Sequence, residues 1–266
     1  MRTHTVRQKI QIMMPLDQGG DRVSRTPPVV MVCADLFGTT VADEGMVEKA
    51  IAEAIGTQGI VPGTAAYARC MVQAHQASGE PGLSIFRRMF PGNDACAQVT
   101  NLAFERSFSA AIDRMGLSAL PGAEATIDKL TGTGIRVCLI SGFGRGLLGG
   151  ILETLSWWDR VDLALTPDDA ARGCPSPDLV LTAVLRLGIP DVRQVAVVGS
   201  TESTVLCGCR SGASIVAGVR TGVHSTERLR RAGATNLIGS IADLPELISP
   251  DQHVRPESVP AGPQLP

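Results

Sequence analysis

Residues Val29-Val30-Met31-Val32-Cys33-Ala34-Asp35-Leu36-Phe37-Gly38-Thr39-Thr40-Val41 set six apolar positions directly before an acid and a Gly/Thr turn. An apolar run without polar alternation describes a strand buried on both faces, and such strands belong in parallel sheets covered by helices. The Asp at the strand end reads either as an Asx-type turn cap or as a catalytic acid. The segment alone leaves both readings open.

Working outward, similar runs occur at Ile135–Ile140, Val161–Leu165, Val195–Val198 and Ser214–Gly218. Each leads into a Gly-containing turn and then a helix-like pattern, which predicts an α/β fold with a parallel sheet. One gap breaks the rhythm. From Glu44 to Met115 the pattern is helical, at Met46–Ile55, Ala65–His75, Leu83–Phe90 and Cys96–Arg114. The expectation is a core domain of residues 29–43 and 116–248 with a mostly helical cap domain, 44–115, inserted after the first strand. Ligands in open α/β sheets sit beyond the carboxyl ends of the strands, so a cap placed there would cover the site and exclude water. Residues 1–28 read as a disordered arm and 249–266, rich in Pro, as a disordered tail.

Composition narrows the function classes. The formal net charge is −2, and no basic stripe interleaved with aromatics suggests a nucleic-acid partner. No apolar run reaches bilayer-spanning length, and Met1 to Pro28 lack the pattern of a signal peptide. The expected address is the cytoplasm, with no membrane partner. Seven cysteines (33, 70, 96, 138, 174, 207 and 209) are odd in number and scattered, which reads as reduced thiols. Cys207-x-Cys209 lacks the second Cys/His pair of a zinc site. Lysine is confined to Lys9, Lys49 and Lys129, so arginine carries nearly all the positive charge.

Four strand-end segments carry a resemblance: ADLFGTTVADEG from Ala34, SGFG from Ser141, RGCPSPD from Arg172, and GSTEST from Gly199. In order, spacing and flanks they resemble the four motifs of the haloacid dehalogenase superfamily, in its phosphonatase-like branch, over about residues 29–247. The resemblance implies a Rossmann-like parallel sheet flanked by helices, with an inserted cap. It implies that Asp35 is the nucleophile position, with Phe37 where many relatives carry a second Asp. Ser141 matches the phosphate-binding hydroxyl of the second motif. Cys174 stands where the third motif has Lys or Arg. Ser200 and Thr204 stand where the fourth motif has the acids that hold magnesium. The cap segment Ser78–Ser84 has no lysine for the Schiff base of phosphonatases proper.

Magnesium prefers near-octahedral oxygen ligation through carboxylates, and phosphoryl transfer depends on charge neutralisation. With those groups replaced, no cofactor is expected, magnesium included. An Asp in a capped apolar site without a cation should have its pKa raised, which suits general acid/base work. The expected function is therefore a metal-independent small-molecule enzyme using Asp35 as acid/base or as nucleophile. Phe37, Gly38, Thr39, Ser141, Gly142, Arg172, Cys174, Ser200, Thr201 and Glu202 would shape the substrate pocket. Two alternatives stand beside it: a non-catalytic binding or scaffold protein, and a residual phosphatase with Arg172 and Glu202 as substitutes. His75 reads as a surface or packing residue. Arg69, Arg87 and Arg88 read either as solvated or as reaching an anionic substrate. A homodimer through the cap fits the pattern.

Overall fold

The structure is a computed structural model that describes residues 27–249. Most of the expected N-terminal arm, and all but the first residue of the expected tail, lie outside that range. Six parallel strands form one sheet: β1 (Met31–Asp35), β2 (Arg136–Ile140), β3 (Leu163–Leu165), β4 (Val195–Gly199), β5 (Ile215–Val219) and β6 (Asn236–Ile238). Their order is β3-β2-β1-β4-β5-β6. The chain moves from β1 outward through β2 and β3, then returns to place β4 on the other side of β1. The order therefore reverses between β1 and β4, and the crevice beyond their carboxyl ends is the ligand position of such sheets.

β1, β4 and β5 are buried along their whole length. Period-two geometry sends Met31 and Cys33 to one face and Val32 and Ala34 to the other. The first pair packs with Leu179, Val180 and Ala183 of α7 (Asp178–Arg186). The second packs with Ile127 and Leu130 of α5 (Ala123–Gly132), and with Leu148, Ile151 and Leu152 of α6 (Arg145–Thr154). Trp157, just past α6, is buried in the same cluster, while Trp158 is exposed.

Between β1 and α5 the chain forms α1 (Met46–Gly56), α2 (Ala65–Gln76), α3 (Gly82–Met89) and α4 (Asp94–Met115). The Thr64 hydroxyl caps α2 by accepting from the Tyr67 N–H, and the Asn93 side chain caps α4 through the Cys96 N–H. Along α4, Phe104, Phe108, Ala111 and Ile112 are buried, the spacing of one helical face. β6 escaped the sequence reading, because a three-residue edge strand with half-buried side chains carries no apolar run. Among the described residues no helix is long and apolar enough to cross a membrane.

Candidate active site

Asp35 is the last residue of β1, and the chain turns at once behind it. The N–H groups of Thr39, Thr40 and Val41 all donate to the Leu36 carbonyl, at 3.1, 2.8 and 3.0 Å. Gly38 holds this turn at φ +74°, where a Cβ would lie 2.8 Å from both Gly222 Cα and Ser200 Oγ; only glycine meets both demands. The turn leaves the Asp35 carboxyl 8% exposed at the base of a cavity. Its Oδ1 accepts from the Leu36 N–H at 2.9 Å and its Oδ2 from the Thr204 hydroxyl at 2.8 Å. Burial raises the pKa to about 6, against the opposing pull of these two hydrogen bonds. No ion pair reaches Asp35 among the described residues.

At the end of β2, Ser141 is buried and its Oγ accepts from the Phe143 N–H at 3.0 Å. Gly142 is the close-approach point between the core and the inserted helices. A Cβ there would stand 2.6 Å from the Glu80 carbonyl oxygen, and the Gly142 carbonyl accepts from the Gly82 N–H at 3.2 Å.

At the end of β4, Ser200 is buried and donates to the Phe37 carbonyl at 3.2 Å. Thr201 caps α8 (Glu202–Ser211) by accepting from the Thr204 N–H. Its hydroxyl also lies 3.0 Å from the Thr204 hydroxyl, so a chain of hydroxyls runs from the cavity wall to Asp35. Thr204 was absent from the sequence-derived site. Its signal was there, since it occupies the second acid position of the fourth motif.

Six of the expected residues line the cavity: Asp35, Phe37, Gly38, Ser141, Gly142 and Thr201. Five do not: Thr39, Arg172, Cys174, Ser200 and Glu202. Arg172 forks onto Asp178 at 3.0 and 2.9 Å, with its side chain 68% exposed. Glu202 pairs with Arg228 of α9 (Thr226–Arg231) at 2.6 Å. Its N–H donates to His224 Nδ1 at 2.8 Å, which leaves the Nε2–H of that ring to donate to the His75 carbonyl at 2.9 Å. Burial, above all, lowers the pKa of His224. Cys174 is buried with Leu179 and Val180 on one face of the sheet. A hydrogen bond with Cys207, burial and then nearby charge, that of Asp35 included, push its thiol well up, so it supplies neither a cation nor a thiolate. Ser200 and Thr39 are buried beside the turn, and the Thr39 hydroxyl has no hydrogen-bond partner.

The cavity has a volume of about 440 Å³, within the range of small-ligand sites. Phe37 and Phe143 meet Phe104 and Phe108 of α4, with ring centroids 5.3 to 5.8 Å apart. Among the described residues Asp43, Glu44 and Glu80 are the other ionisable residues of the wall, and no Lys, Arg or His lines it. Arg87 and Arg88 pair with Asp94 and Glu80, and neither reaches the cavity.

The donors around Asp35 do not fit magnesium. Both of its oxygens serve neutral hydrogen-bond donors, the β4 end offers hydroxyls, and no cluster of three metal-ligating side chains exists among the described residues.

Comparison with known proteins agrees with this fold. The family model for haloacid dehalogenase-like hydrolases matches residues 31–206. Phosphonoacetaldehyde hydrolase of Bacteroides fragilis is 25% identical over 192 residues, covering 64% of this chain and 72% of that one. A probable phosphatase of Dickeya dadantii is 27% identical over 47% of this chain, which spans about half (53%) of that relative. Among solved structures, a phosphonoacetaldehyde hydrolase-like protein from Oleispira antarctica superposes with a TM-score of 0.71 at 22% identity, covering 84% of this chain and 92% of that one. A hydrolase from Pseudomonas syringae gives 0.70, also at 22% identity, over 82% and 96%. The chain belongs to the haloacid dehalogenase-like hydrolase family.

Proposed function

We propose that this protein is a metal-independent enzyme that acts on an uncharged or weakly charged small molecule, with Asp35 as general acid/base. Helices α1 to α4 serve as the cap that keeps water from the reaction. One observation carries the reading: Asp35 is buried in the wall of an apolar cavity, held by two neutral donors and, among the described residues, faced by no cation. A carboxyl with a pKa of about 6 is a stronger base than an ordinary carboxylate and still ionised at neutral pH. Correctly placed proton transfer of this kind contributes about two to four powers of ten in rate.

The Leu36 N–H and the Thr204 hydroxyl, the latter braced by Thr201, would hold the carboxylate oxygens in one orientation, while Ser141 and Gly142 face the substrate. The aromatic wall raises the work of bringing an anion inside. The test is hydrolysis of an aryl phosphate by the intact protein and by Asp35→Asn, each with and without magnesium. The expected result is no magnesium-stimulated turnover. Magnesium-stimulated turnover that disappears in Asp35→Asn would sink the reading.

A further inference from the structure

The wall of the cavity carries a charge pattern that phosphate chemistry does not explain. Among the described residues its carboxylates are Asp35, Asp43, Glu44 and Glu80, and no basic side chain lines it. Glu80 alone has a cation, Arg88, at 2.5 Å. Asp43, Glu44 and Asp35 form no ion pair among the described residues. A smaller pocket of about 160 Å³ adjoins the cavity through Gly82, Phe104, Gly142 and Phe143, and its acids are Glu105 and Asp168. Among the described residues it too has no basic side chain in its wall. Both pockets therefore set carboxylates in the same wall as the phenylalanines.

We propose that the cavity binds a small apolar amine, with its ammonium against Asp43 and Glu44 and its apolar body against Phe37, Phe104 and Phe143. This assignment narrows the weakly charged substrate of the Asp35 reading to a monocation, and rests on that reading for whatever chemistry follows binding. Three physical terms converge on a cation. Low-dielectric walls of one sign focus the field and concentrate counter-ions. Aromatic rings attract a cation placed over their faces. A carboxylate already desolvated gains more from a partner than one in water. Asp43 is in that state: its carboxyl is pushed above the usual range, first by burial, against the hydrogen bond from the Val47 N–H, with the charge of Glu48 adding to the rise. An anion would meet repulsion from the same groups, and a neutral ligand would leave them without a partner. The volume of about 440 Å³ suits a single ring with a short chain.

The test is calorimetric titration of the full chain with four matched probes: 2-phenylethylamine, 2-phenylethanol, 3-phenylpropionate and phenyl phosphate. The amine is expected to bind at least about tenfold more tightly than the alcohol, with the two anions weaker still. In the double variant Asp43→Asn, Glu44→Gln the amine should fall to within about threefold of the alcohol, whose own affinity stays put. The Asn oxygen can still accept from Val47, so α1 keeps its cap, and the alcohol serves as the control for folding. Raising the salt concentration should shrink the amine's advantage in the parent protein. An amine that binds no tighter than the alcohol, including no binding by either, overturns the proposal. So does tighter binding of an anion, or a preference that survives the double variant. Failure here leaves the acid/base reading of Asp35 intact, whereas magnesium-stimulated phosphatase activity would remove that reading whichever probe binds.

Discussion

The crevice at the strand ends has two halves of different chemistry. On the β1 and β2 side, Asp35, Gly38 and Ser141 are the residue types that the family resemblance implies, in a tight turn that buries the acid. On the β3 and β4 side, a thiol, Cys174, and two hydroxyls, Ser200 and Thr204, stand where a cation and two acids are implied. The replacements are ordered side chains with partners: Thr204 donates to Asp35, and Ser200 to Phe37. Swapping charge for neutral hydrogen-bond donors alters what the same carboxylate can do. With a cation and a metal beside it, a buried Asp is held ionised; with hydroxyls alone, burial wins and its pKa climbs to about 6.

The largest effect that would sharpen this contrast comes from Asp35→Asn, which should lower turnover of any substrate found for the cavity by about two to four powers of ten. The same substitution should raise stability. The pKa of Asp35 is higher in the folded protein than its ordinary 3.8, so the folded state holds its proton more tightly than the unfolded chain. Its ionisation therefore costs stability as pH rises from about 4 through about 6. Asn should stabilise by about 3 kcal/mol near pH 7.5 and by almost nothing near pH 3, as read from chemical denaturation. A stabilisation independent of pH would break the account.

Next in size is the return of acids to the β4 side. Ser200→Asp combined with Thr204→Asp should cost about 3 kcal/mol without metal, because it sets unpaired like charges in a buried site. Magnesium should recover part of that loss in thermal unfolding and leave the parent protein unmoved. Thr204→Val should cost about 1 to 2 kcal/mol and move the Asp35 titration upward, since one of the two donors that favour the carboxylate is gone. The smallest effect belongs to Arg172→Gln: an exposed pair with Asp178 is worth less than about 1 kcal/mol, and binding in the cavity should not change. A large loss of binding would return Arg172 to the site.

Much of the fold was legible because buried parallel strands write themselves as apolar runs; β1, β4 and β5 do so, and β2 does after its exposed Arg136. The helices of the insertion were legible too, from their spacing of apolar residues. The site was legible only along each strand end. Asp35, Ser141 and Thr201 announce themselves by standing after a strand, but the partners that set their behaviour come from elsewhere in the chain. Phe104 and Phe108 read as ordinary helix core until α4 folds over Phe37 and Phe143. Glu202 is diverted by His224 and Arg228, each more than twenty residues away, and no local pattern encodes that pairing. Arg172 offers a charge near the right place in sequence, but Asp178, the first residue of α7, claims it.

The most direct test of the account is titration of the Asp35 carboxyl itself, followed by carbon NMR in protein labelled at aspartate, with Asp35→Asn to assign the signal and with and without saturating magnesium. A midpoint near 6 that magnesium does not move is the predicted result. A midpoint below about 4, or one that falls when magnesium is added, would show a carboxylate held ionised by a cation or a metal, and would contradict the account.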